Sequence, residues 1–348
     1  MKYSKHTTST NEVHVQTFIL VSMGPILRIF VSFFISALLF WVPREEYEQK
    51  MEQIPSMEQK NADFDLKGWT YNKIYSEKLK INHYYFSYPS PDTSAPTFVL
   101  LHGLNTDGRV FVNMHSLAKQ YNLISYDLPW ETHCYRGKLN DFNCILEDFF
   151  SVMELDTICL LGYSIGGAVA VHYTGSPTRI TVNNLILISS TLFGATQDQR
   201  DRSVRMADKL LPYPDYKLYY LMERGRSLVR MFENSGMGEN VSPEIIAIKK
   251  IGWYRQIFSM LKDYNAVPHA EKITCPVLVL HGSDDKVVSL EMGKLIPQTI
   301  KHARFEILEG LGHSMPWLNA DLIAAKIEDF CTSSQESITL KDPYQASR

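Results

Sequence analysis

A dominant charge sign is the first thing this chain lacks. Its 348 residues carry 35 Lys and Arg against 38 Asp and Glu, for a net charge of −3. A nucleic-acid binder needs a basic face to neutralise phosphates, and a chain held disordered by self-repulsion needs a large net charge; both classes are excluded. Glycine and proline, 18 and 16 residues, are at ordinary levels, which excludes collagen-like and linker-like chains. The sequence has no internal repeat and no low-complexity tract.

Cysteine is sparse as well. Cys134, Cys144, Cys159, Cys275 and Cys331 are odd in number, widely spaced and never arranged as C-x-x-C. That pattern supports neither a zinc site nor a disulfide framework. Cys159 lies within an apolar run and Cys275 just before another, so both read as small buried hydrophobes. H-E-x-x-H, P-loop and dinucleotide-type G-x-G-x-x-G motifs are missing too. No metal and no organic cofactor is therefore expected.

Long apolar runs are scarce, with one exception at residues 18–42 (FILVSMGPILRIFVSFFISALLFWV). As a helix this segment would be ~37 Å long, enough to cross a hydrocarbon layer of ~30 Å with some tilt. Arg28 sits near its middle, at an insertion cost of roughly 2.5–3.5 kcal/mol unless it snorkels. The stretch FWVPREE offers no small-x-small cleavage site, which argues against a cleaved leader. A hydrophilic spacer follows directly, which argues against a buried helix of the domain. A retained membrane anchor is the expectation. Lys2 and Lys5 before it nearly balance Arg44 and Lys50 after it, leaning only slightly to an extracytoplasmic domain.

The expected organisation is an N-terminal segment 1–43, a polar spacer 44–66, one α/β domain 67–331 and a loosely ordered polar tail 332–348. Residues 68–88 alternate apolar and polar positions around a turn near Glu77, the pattern of an antiparallel hairpin. Short continuous apolar runs follow at 97–101, 122–126, 157–161, 184–188, 276–280 and 303–308. Strands buried on both faces of a parallel sheet look like this. Helix-length amphipathic stretches lie between most of them, at 109–121, 139–153, 166–174, 289–299 and 316–331. Alternating strand and helix predicts a doubly wound α/β sheet. Residues 191–266 break the alternation, a 76-residue interval holding five of the thirteen methionines and ten aromatics. It is expected to be a helical insertion over the carboxyl edge of the sheet, apolar enough to cover a pocket.

The chemistry concentrates at 158–167, ICLLGYSIGG, where an apolar strand runs straight into G-x-S-x-G. In a nucleophile elbow a sharp strand-to-helix turn lifts the serine hydroxyl above the sheet, and side chains at Gly162 or Gly166 would collide with neighbouring elements. A serine hydroxyl is a weak nucleophile; it needs a base, and the base needs an orienting acid. Downstream, the strand VLVLHG leads into Asp284 and Asp285, and EILEGLGHSMP places His313 in a glycine-flanked loop after the next strand. All three loops leave carboxyl ends of strands, the edge at which open α/β sheets hold their sites.

From about residue 68 to 331 the chain resembles the α/β-hydrolase superfamily, in the branch with a helical cap inserted after the sixth strand. The motifs that carry the resemblance are His102-Gly103, Gly162–Gly166, the G-x-x-D-x-x-V series Gly282, Asp285 and Val288, and Gly312-His313. The resemblance implies an α/β-hydrolase fold, mostly parallel, and a Ser164–Asp285–His313 triad in which the G-x-x-D register selects Asp285 over Asp284. It implies an oxyanion hole from the backbone N–H groups of Leu104 and Ile165. His102 is expected to fix its loop by hydrogen bonding. One departure stands out: family members often carry D-x-P-G-x-G after the strand NLISY, whereas here Trp130 replaces the first of those glycines. Trp130 and Tyr163 are expected near the substrate pocket.

A serine nucleophile sets the chain apart from the dehalogenases and epoxide hydrolases of that superfamily, which attack with aspartate. The layout is similar to membrane-anchored monoacylglycerol lipases and carboxylesterases, which implies acyl transfer on lipid-like or medium-chain esters. The same triad serves C–C bond hydrolases, thioesterases, aminopeptidases and acyltransferases, and the fold also serves non-catalytic binding modules, so these remain alternatives. The partners implied are a small-molecule or lipid ester and a membrane reached through the N-terminal segment, with no nucleic acid.

Overall fold

The computed structural model describes residues 44–52, 57–62, 64–104, 106–193, 214, 260 and 264–341. The apolar segment 18–42 and nearly all of the insertion 191–266 lie outside the described residues. Among the described residues, no helix is long and apolar enough to cross a membrane.

The spacer forms two short helices, Arg44–Glu52 and Met57–Ala62. The hairpin follows as β1 (Thr70–Ser76) and β2 (Ile81–Tyr88), paired antiparallel with the turn where the alternation predicts it. Six strands complete the sheet: β3 (Thr97–Leu101), β4 (Asn122–Asp127), β5 (Thr157–Tyr163), β6 (Thr181–Ile188), β7 (Val277–Gly282) and β8 (Arg304–Leu308). Their order is β1-β2-β4-β3-β5-β6-β7-β8, and every pairing from β4 onward across the sheet is parallel.

The apolar runs have no polar alternation because both faces of these strands are covered. Val99, Leu101, Leu160, Val277 and Val279 enter a core cluster on one side, with Phe142, Phe149, Val169 and Tyr173. Their neighbours Phe98, Leu100, Leu161, Leu278 and Leu280 enter a second cluster on the other side, with Val110, Leu117, Ile323 and Ile327. Successive residues of a strand point to opposite faces, so one continuous run feeds two cores. Each fully buried Leu or Val contributes roughly 1.5–3 kcal/mol relative to exposure. Cys159 is buried in the second cluster, while Cys275 is partly buried against the first.

Three helical expectations are corrected. Residues 108–119 form a 3-10 segment kinked at Met114, where Asp107 caps the start by accepting from the Arg109 N–H. Residues 108–112 are all buried, an enclosure that an exposed-face helix would not tolerate. The stretch 289–299 divides into Leu290–Gly293 and Leu295–Thr299, because Pro297 cannot donate to the carbonyl of Gly293 and its ring would clash there. Residues 332–341, expected to be loosely ordered, continue a helix that runs from Ala320 to Lys341. Nothing in TSSQESITLK breaks a helix.

The long interval between β6 and β7 is fastened at its base. Phe193 bridges Asn265 antiparallel, the Ala266 N–H donates to Leu192 O at 2.9 Å, and Tyr264 Oη donates to Thr191 O at 2.8 Å.

Candidate active site

β5 ends at Tyr163, and the helix Ile165–Thr174 begins after a single intervening residue. Ser164 makes the whole turn with φ 53 and ψ −119, a left-handed setting that L-residues avoid. Two glycines make it possible. A Cβ on Gly162 would strike the backbone of Gly166 and Gly167, and one on Gly166 would strike the Leu101 carbonyl of β3. The strained residue is also held from β6: its N–H donates to Ile188 O at 2.9 Å, and its carbonyl accepts from Ser190 Oγ at 3.1 Å.

His313 reaches this turn from the loop after β8. Its Nε2 lies 3.1 Å from Ser164 Oγ, and its Nδ1 lies 2.8 Å from Asp285 Oδ2. A carboxylate only accepts, so Nδ1 carries the proton and the bare Nε2 faces the serine hydroxyl. Asp285 is 5% exposed, and its Oδ1 accepts from the N–H groups of Val287 at 2.9 Å and Val288 at 2.8 Å. Burial pushes this carboxyl up, but the hydrogen bond and charge of His313, with the two backbone donors, outweigh it and hold it below the usual carboxylate range. Asp284 points to solvent, and its N–H donates to Leu311 O at 2.9 Å, stitching the acid loop to the histidine loop.

The loop after β3 lies on the other side of the serine. A Cβ placed on Gly103 would be 3.3 Å from Ser164 Cβ and 2.9 Å from the Tyr163 ring. The Gly103 carbonyl accepts from His102 Nδ1 at 2.8 Å and from Thr106 Oγ1 at 3.0 Å. No peptide among the described residues is cis, and the C=O and N–H of a trans peptide point in opposite directions. Pinning that oxygen therefore fixes the direction of the Leu104 N–H. His102 Nε2 accepts the Leu128 N–H at 3.0 Å, which ties the loop to the end of β4. The histidine is fully buried and holds its loop, as expected from its place in H-G.

The second expected donor, the Ile165 N–H, opens the helix that follows the serine, where partial positive charge gathers. Tyr163 is buried, with its ring centroid 5.2 Å from that of His313. Trp130 is 1% exposed, edge-on to Tyr135 at 5.3 Å and to Phe142 at 4.7 Å; its described contacts are those of the core. Thr106 and Ser190 carry no motif of their own. Only their positions, four residues beyond His102 and two beyond the end of β6, could have marked them. Among the described residues no cluster of three or more His, Cys, Asp or Glu side chains could hold a metal ion.

The model of the alpha/beta hydrolase family matches residues 98–326, well over half of the chain, and this chain belongs to that family. It is similar to the AB hydrolase superfamily protein YisY of Bacillus subtilis (strain 168), 24% identical over 253 residues that span 68% of this chain and 91% of that one. It is also similar to the monoacylglycerol lipase abhd6-A of Xenopus laevis, 22% identical over 295 residues, 77% of this chain and 86% of the other. Among solved structures, the esterase EaEST of Exiguobacterium antarcticum superposes with a TM-score of 0.58 at 18% identity, over 75% of this chain and 99% of that one. At that identity the likeness speaks for the shared fold.

Proposed function

We propose that this α/β hydrolase is a serine esterase of the monoacylglycerol-lipase type, cleaving carboxylic esters of lipid-like or medium-chain acyl groups. The observation that carries the reading is the line from Asp285 Oδ2 through His313 to Ser164 Oγ, at 2.8 and 3.1 Å. His313 takes the hydroxyl proton as Ser164 Oγ adds to the ester carbonyl. Asp285 keeps the imidazole in the Nδ1–H tautomer and stabilises the imidazolium. The Leu104 and Ile165 N–H groups stabilise the tetrahedral oxyanion. His313 then gives its proton to the departing alcohol, and water, deprotonated by the same histidine, hydrolyses the acyl-enzyme.

The lipid-like substrate is supported by the Met- and aromatic-rich interval 191–266, read as a cap, and by similarity to a protein named a monoacylglycerol lipase. The apolar length of residues 18–42 supports a membrane anchor preceding the spacer 44–66 and the hydrolase domain 67–331.

Ser164→Ala is expected to abolish both hydrolysis of p-nitrophenyl acyl esters and labelling by a fluorophosphonate. Wild-type levels of either in that variant would overturn the assignment. Alkaline carbonate washing of membranes from expressing cells tests the anchor; full release of the intact chain would count against it.

A further inference from the structure

His281 is the fifth residue of β7, and its side chain is fully buried. Its Nε2 lies 2.9 Å from the Val288 carbonyl. A carbonyl only accepts, so Nε2 carries the proton and donates. Nδ1 has no hydrogen-bond partner among the described residues, and the backbone of Gly293 closes over it, since a Cβ there would strike the ring. Val288 is thus gripped at both ends of its backbone: His281 holds its C=O, and Asp285 Oδ1 takes its N–H at 2.8 Å. The same His281 Nε2 stands 3.8 Å from Asp285 Oδ2, the oxygen that receives the His313 Nδ1–H.

We infer that His281 is a positioning residue for the acid: by holding the Val288 carbonyl it sets the 285–288 turn that aims Asp285 Oδ2 at His313. The inference rests on the triad reading above. It requires a neutral ring. A charged His281 would stand as a second cation beside Asp285 and compete with the imidazolium of His313. Burial favours the neutral form. The Val288 hydrogen bond and Asp285 act against that, and His313, the other titratable group facing the ring, acts with burial.

His281→Leu removes the donor, whereas His281→Gln carries an amide N–H with similar reach. The expected result for His281→Leu is a loss of about tenfold in kcat on p-nitrophenyl butyrate with KM little changed. The acid limb of kcat/KM should also move down by about half a pH unit, because a misaimed Asp285 stabilises the imidazolium less. His281→Gln should restore most of both. Wild-type kcat and an unmoved acid limb in His281→Leu, with Ser164→Ala inactive, would overturn the role of His281 and leave the triad standing. Full activity in Ser164→Ala would overturn the triad and this inference with it. Imidazole nitrogen NMR on the unsubstituted protein needs no variant to fold. A neutral Nε2–H ring at residue 281 near neutral pH is expected, and an Nδ1–H or protonated ring would refute the proposal.

Discussion

The hydroxyl of Ser190, at the exit of β6, lies 3.1 Å from the backbone carbonyl of Ser164, the residue that bears the strained turn. The carbonyls of Ile188 and Gly162 lie 3.2 and 3.4 Å from the same oxygen, so one hydroxyl faces three acceptors around the elbow. Ser190→Ala should cost about 1 kcal/mol of stability, the usual worth of one such bond. It should also lower kcat more than it raises KM, because the affected carbonyl belongs to Ser164, the proposed nucleophile. Thermal melting and steady-state kinetics on the same preparation check both halves.

Thr106 shares the Gly103 carbonyl with His102, and that carbonyl sets the direction of the Leu104 N–H. Thr106→Val keeps the shape and removes the donor. A loss of roughly three- to tenfold in kcat with little change in KM is expected, since the proposed oxyanion donor at Leu104 would act mainly in the transition state. The rate of fluorophosphonate labelling should fall in step.

The two neighbouring aspartates separate cleanly by substitution. Asp285→Asn offers His313 a partner that favours the wrong tautomer, and kcat should fall by about 10³–10⁴. Asp284→Asn alters an exposed carboxylate and should stay within about 0.5 kcal/mol of the parent in both stability and activation free energy. Kinetics on the pair, with melting curves as control, decide between them.

His172, on the helix that follows Ser164, faces His269 with ring centroids 3.7 Å apart and the ring planes tilted by 34°. Burial, and then the neighbouring His269, push His172 down to about 4. The unfolded chain protonates this residue near the ordinary histidine value, so between about 4 and 6.5 it binds more protons than the folded protein. Stability should therefore rise with pH across that window and be lost as the solution is acidified. The Asp285 carboxyl, held below its ordinary value, adds a loss of the same sign at lower pH still. Urea titrations at a series of pH values should show a shallower slope for His172→Gln than for the parent.

Much of this was legible because buried parallel strands and elbow chemistry leave strong marks. The run ICLLGYSIGG needs both faces covered and no side chain at two glycines, and few other structures ask for that combination. The corrected stretches were less visible for physical reasons. Pro297 splits a helix by removing one donor, which an amphipathic pattern does not register. Residues 332–341 are polar yet contain no breaker, so composition suggested a loose tail where the backbone continues a helix. Trp130 stands where family members carry a glycine, and its edge-on packing against Tyr135 and Phe142 is a relationship that only three dimensions reveal. Thr106, Ser190 and His281 act through backbone carbonyls, and a carbonyl has no residue type to recognise.

The clasp at Phe193 and Asn265 has a consequence for how such a chain can diversify. The chain leaves β6 and re-enters before β7 through two stretches of backbone already bonded to each other. Closure entropy grows only with the logarithm of length, about 0.6 kcal/mol per doubling. Length added or removed between 194 and 259 is therefore expected to cost the fold little, while the elbow, the acid turn and the histidine loop stay where they are.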